Sequence, residues 1–76
     1  MNNTKIDLIE DALRASIDDS RGEWDPATLR DTAQACHDLP SPLWIMRVCT
    51  HAEDEEEALR LISSVGRIRE VLGIAH

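Results

Sequence analysis

A chain of 76 residues with a formal net charge of −7 has room for one domain with one small core, and that charge repels the phosphate backbone of nucleic acid and an anionic membrane surface alike. Its 42% hydrophobic share lies in the globular range, but with no Phe or Tyr the core must rest on Leu, Ile, Val, Ala and the two tryptophans, Trp24 and Trp44. No apolar run approaches the roughly 20 residues that span a bilayer, no secretory signal opens the sequence, and Cys36 and Cys49 have no close-spaced partner, so a reduced, cytoplasmic protein with no membrane association is expected.

Thr4 and Asp7 are spaced as a weaker form of capping box, and Ile6, Ile9, Leu13 and Ile17, widened by Leu8 and Ala12, mark one helical face. Asp7, Glu10, Asp11, Arg14 and Asp18 gather on the other. The pattern predicts a helix over residues 4–18, ended by the polar run Asp18-Asp19-Ser20-Arg21-Gly22.

The next start is the clearest local signal in the chain. Asp25 stands as N-cap with Pro26 at the first helical position, and Trp24 before the cap and Leu29 inside the helix fit a hydrophobic staple. Leu29, Ala33 and Cys36 continue one face. The helix must stop near Asp38, because Pro40 and Pro42 bracket Ser41.

Ser41-Pro42 repeats the order of cap then proline, and the run from Leu43 to Cys49 is apolar almost all round. Periodicity does not separate a buried helix from a buried strand here, but no other segment alternates with period two to pair with a strand. A buried helix is expected, serving as the hub for the others.

Thr50 and Glu53 again have capping-box spacing, and a last helix is expected to run from there to Leu72, with Gly73 as its left-handed terminator. Leu61, Val65, Ile68 and Leu72 form its apolar stripe. The acids Glu53, Asp54, Glu55, Glu56 and Glu57 sit where the helix dipole favours negative charge, Arg67 and Arg69 toward the opposite end, and Glu56 and Arg60 form an i, i+4 pair. Gly66, after Ser63, Ser64 and Val65, is the place where this helix could break or kink.

Several chemical readings compete for these residues. Cys36-His37 and Cys49-x-His51 offer four zinc ligands, but neighbours on a helix point about 100° apart, and a buried thiol with histidines near helix ends explains the same residues. Residues 28–35 followed by the Pro-Ser-Pro turn resemble the start of a helix-turn-helix. Against that, His37 stands where such a turn usually carries glycine, and the second helix would present Trp44, Ile45 and Met46 in place of base-reading side chains. An acidic chain of this length also resembles an acyl carrier protein through Asp19-Ser20, yet Arg21 and Gly22 follow where a hydrophobic residue and a helix belong. No phosphate loop, nucleophile elbow or H-E-x-x-H is present, and so small a core leaves little room for a pocket of roughly 300 Å3, so neither an enzyme nor a cofactor is expected.

The expectation is an all-α, compact bundle of three to four short helices forming a single domain over residues 1–76. It would act as a non-enzymatic regulatory or inhibitory protein, docking on a basic surface of a larger protein partner. Glu53, Asp54, Glu55, Glu56 and Glu57 would form its acidic patch, and an exposed Trp24 or Trp44 its anchor. One core of this size often supplies only about 3–5 kcal/mol, so a homodimer through whatever Leu61, Val65, Ile68 and Leu72 leave uncovered is also expected. The alternatives are a helix-turn-helix regulator and a structural subunit of a hetero-complex.

Overall fold

Asp25, Asp54 and Gly73 punctuate the chain into helices that the computed structural model describes over residues 4–17 and 24–74. Four helices result: α1 (Thr4–Ser16), α2 (Pro26–Asp38), α3 (Leu43–His51) and α4 (Glu55–Leu72), with no strand among the described residues. The run expected to end α1, Asp18 to Gly22, lies outside the described residues. α1 packs on α2 and α4, and α3 in turn on α2 and α4, so the bundle closes as a ring of neighbouring pairs.

The core draws one stripe from each helix: Ile6, Ile9 and Leu13 from α1, Leu29, Ala33 and Cys36 from α2, Trp44 and Val48 from α3, Leu61 and Val65 from α4. All are spaced at three, four or seven residues, the period that keeps side chains on one helical face. Burying each large aliphatic side chain contributes roughly 1.5–3 kcal/mol. Thr32 is fully buried between these stripes, and its hydroxyl finds no hydrogen-bond partner.

At the start of α2 the local signals act as expected. The Thr28 amide donates to Asp25 Oδ1 at 2.8 Å, and this bond holds the Asp25 carboxyl below its usual range. Trp24 and Leu29 both pack on the core. At the other end of α4, Gly73 takes the left-handed conformation with φ 73°. Its amide donates to Glu70 O at 3.1 Å and that of Ile74 to Arg69 O at 2.9 Å, the paired bonds of a Schellman motif.

Two expectations are corrected. The last helix does not start at Thr50: that residue belongs to α3, where its hydroxyl donates to Met46 O at 2.9 Å, and Asp54 is the N-cap, accepting from the Glu57 amide at 2.9 Å. Both spacings were present in the sequence, and the pair three residues apart that lies beyond the end of α3 is the one that forms. Nor is α3 a buried hub. Only Trp44 and Val48 are buried, because a nine-residue helix at the edge of the ring turns just one face inward. The last helix ends at Leu72 as expected, and α4 is continuous through Gly66 over 18 residues, which the sequence left open, since packing of Leu61, Val65 and Ile68 along one face outweighs the conformational cost of one glycine.

Charged side chains tie the helices where backbone groups would otherwise be left over. Arg30 of α2 donates to Asp7 at 2.6 Å and Glu10 at 2.9 Å of α1, and Arg14 binds Glu10 at 2.6 Å and Asp11 at 3.2 Å. Arg60 of α4 donates to Ser16 O at 3.3 Å, at the end of α1. Arg69, only 1% exposed, donates to the carbonyls of Cys36 and, at 3.3 Å, Leu39, which the end of α2 leaves without helical partners.

Candidate functional site

The acidic run and the outward side of α3 meet at the junction of α3 and α4. α3 ends at His51, and the Ala52 amide closes it on Val48 O at 3.0 Å. Glu53, Asp54, Glu55 and Glu56 follow at once, all exposed. Glu57 does not join them. It is buried, with Oε1 accepting from the Glu53 amide at 2.8 Å and from the Trp24 indole at 3.4 Å. The acidic patch expected of five residues therefore has four outward members, because the fifth carboxylate turns inward to the Glu53 amide and the Trp24 indole.

The acids of α1 contribute less charge to the surface than their number suggests, since Arg30 and Arg14 bind Asp7, Glu10 and Asp11. The hydrogen bond from Arg30, reinforced by Arg14, holds the Glu10 carboxyl below its usual range, and the Asp7 and Glu10 bonds raise Arg30. At the junction Arg60 stands 4.0 Å from Glu56.

The expected anchors fare differently. Trp44 is 3% exposed, its indole donates to Ser41 Oγ at 2.7 Å, and the Arg69 guanidinium lies over its ring, so it is a core residue and not a surface anchor. Ser41 thus serves the indole and does not cap α3, whose first amides, Leu43 and Trp44, donate to Pro40 O at 2.8 and 3.2 Å. Trp24 is half-buried. It meets the His51 ring edge-on at 5.6 Å and packs on the core beside Glu57. The stripe proposed for self-association is likewise spent inside the monomer: Leu61 and Val65 are fully buried, and Ile68 and Leu72 pack partly buried against the core.

The outer face of α3 is a further surface that the sequence does not single out. Leu43 is 48% exposed and Met46 62%, with Arg47, Cys49 and Thr50 exposed beside them. Their i, i+3, i+7 spacing was visible, but in a run apolar all round nothing marked which face would be left out.

Cys36 is sealed in the core, where burial pushes its thiol up to about 12 against the pull of Arg69 and Arg47, while Cys49 is exposed. No group of three or more His, Cys, Asp or Glu side chains is placed to hold a metal among the described residues. A trough of about 560 Å3 beside the end of α1, larger than expected, is lined by Glu56, Arg60, Ser63, Ser64 and Arg67 without a histidine to activate either serine. Ser20, the residue weighed as a carrier serine, lies outside the described residues. No helix among the described residues is long and apolar enough to cross a membrane. No family model, curated protein or solved structure matches the chain.

Proposed function

We propose that the protein is a non-enzymatic regulator or inhibitor that docks on a basic surface of a larger protein. One observation carries the reading: Glu53, Asp54, Glu55 and Glu56 are all exposed at one junction, so four consecutive carboxylates face outward together. Asp54 and Glu57 already supply the hydrogen bonds that the start of α4 needs. The remaining acids repel one another across a short turn, and a basic partner surface converts that repulsion into attraction, steering and specificity.

The helix-turn-helix alternative draws on the pairing of α2 and α3 alone. The outer face of α3 carries Leu43, Met46 and Thr50 where base recognition calls for bidentate polar groups, and Arg47 is its one cation.

The test is capture from lysate of the source cell with the native chain and with a Glu53→Gln/Glu55→Gln/Glu56→Gln variant, followed by titration of the captured protein at low and high salt. The variant should weaken binding about tenfold or more at low salt and flatten its salt dependence, with its circular dichroism unchanged. Equal affinity and equal salt dependence for both chains would overturn the proposal, and so would tight, steeply salt-dependent binding to duplex DNA by the native chain.

A further inference from the structure

Resting on that reading, we infer that the outer face of α3 is the docking site itself, and that its occupant is an amphipathic helix whose apolar stripe is flanked by Lys or Arg. Leu43 and Met46 lie one turn apart on that face with Thr50 a turn further on, so together they form a short apolar ridge pointing away from the core. The other exposed large apolar residues, Leu8, Leu59 and Val71, stand on α1 and α4, the first of them alone on its helix.

Charge identifies the occupant. Along one flank, Asp31 and Asp38 of α2 share a trough with Arg47 of α3, and beyond the end of the ridge come Glu53, Asp54, Glu55 and Glu56, all exposed. The ridge is therefore apolar along its crest, acidic beyond its end and bordered on one flank by Asp31 and Asp38, with Arg47 the one cation of α3. The complementary surface is apolar at its centre and basic at its edges. A second copy of this chain brings no basic edge to meet these acids, since Arg47 is the one cation of α3, which argues against self-association here. Duplex nucleic acid meets the same repulsion and offers nothing for Leu43 and Met46 to bury against, and an anionic bilayer, which could take up the two side chains, repels the acids beside them. Since α3 is a convex helix and no strand edge exists among the described residues, helix-on-helix packing is the recognition mode available. Methionine suits such a contact, because its unbranched, polarisable side chain adapts to the grooves of different helices.

The probe is a fluorescein-labelled Leu/Lys amphipathic peptide of about eighteen residues, with a Leu/Glu peptide of the same pattern as control. Titrated into the full 15N-labelled chain, the Leu/Lys peptide should shift amides of residues 43–56, and the Leu/Glu peptide should leave the spectrum unchanged. Leu43→Ser/Met46→Ser should weaken binding by about tenfold or more, and Glu55→Lys/Glu56→Lys should weaken it and reduce its salt dependence, whereas Leu8→Ser and Val71→Ser should bind as the native chain does. Because all these positions are exposed, the helical spectrum of each variant should stay native. Shifts centred on the acids of α1, binding within about twofold of native by Leu43→Ser/Met46→Ser, or concentration-dependent shifts of residues 43–56 in the absence of peptide, the mark of a second copy, would each overturn the inference. Those outcomes leave the proposed function standing, since it fails on a different result, a captured partner indifferent to the loss of Glu53, Glu55 and Glu56.

Discussion

The guanidinium of Arg69 lies 5.4 Å from the centroid of the Trp44 ring while its N–H groups reach the carbonyls of Cys36 and Leu39. One side chain of α4 thereby closes the end of α2 and covers the main buried residue of α3. Arg69→Leu keeps the volume but leaves buried carbonyls without donors, which costs about 1–3 kcal/mol, and loss of the ring contact adds roughly 0.5–2 kcal/mol. Arg69→Lys should also destabilise, since a compact ammonium lacks the planar face that lies over the indole while Nη1 donates to the two carbonyls. Urea denaturation followed by tryptophan fluorescence checks both. A native midpoint for Arg69→Leu would remove this residue from the account of the fold.

The position of the cap at α4 has its own test. Asp54→Ala should lower stability by about 1 kcal/mol, the usual worth of an N-cap side chain. Thr50→Ala, which removes only a bond back to Met46 O within α3, should change it by less than about 0.5 kcal/mol. Thermal melts of the two variants side by side decide between Asp54 and Thr50, and a larger loss at Thr50 would restore the earlier start of the helix.

At Gly66 the helix carries a flexible residue with no steric need for it, as a Cβ there would meet nothing within 4 Å. Gly66→Ala should stabilise the protein by about 0.5–1 kcal/mol, by narrowing the unfolded ensemble and raising helix propensity. A lowered melting temperature would show that the absence of a side chain at Gly66 is needed for some other purpose.

Thr32 offers a second gain. Its buried hydroxyl lacks a partner, so Thr32→Val exchanges an unsatisfied polar atom for a methyl of the same branched shape. Stability should rise by about 1 kcal/mol, read from the urea midpoint. A loss of comparable size would mean that the hydroxyl is bonded in solution, for instance to a water.

Acid should weaken the pairing of α1 with α2. The folded pKa of Glu10 lies below its ordinary value of 4.5, chiefly through the bond from Arg30, so the unfolded chain takes up this proton first as pH falls. The stabilisation is complete above that ordinary value and is lost as pH drops through the lower folded value. Glu10→Gln should therefore flatten the dependence of the urea midpoint on pH between roughly 5 and 3. An identical slope in both proteins would place the acid sensitivity in other carboxylates.

Much of the fold was legible because its signals were local. Asp25 and Pro26 mark a start, Gly73 marks an end, and the stripes through Ile9, Leu29 and Leu61 repeat at the period of a helix. What was not legible depends on contacts between distant segments. Glu57 resembles its four acidic neighbours until Trp24, 33 residues earlier, is brought against it. Arg69 reads as an ordinary cation at the end of a helix until folding sets Cys36 O and the Trp44 ring beside it. The candidate site was half visible for the same reason: the acids announce themselves by charge, whereas the exposure of Met46 depends on which side of α3 the other helices occupy.

The two thiols, one sealed behind the helices and one on the outer surface of α3, give the folded chain a single chemical handle. A maleimide dye offered to native protein meets Cys49 alone, on the same short helix as the Leu43 and Met46 ridge, with no engineering of the sequence. Cys36 becomes reactive only when the bundle opens. Uptake of a second equivalent thus clocks global opening, while the first dye reports on whatever settles on that helix.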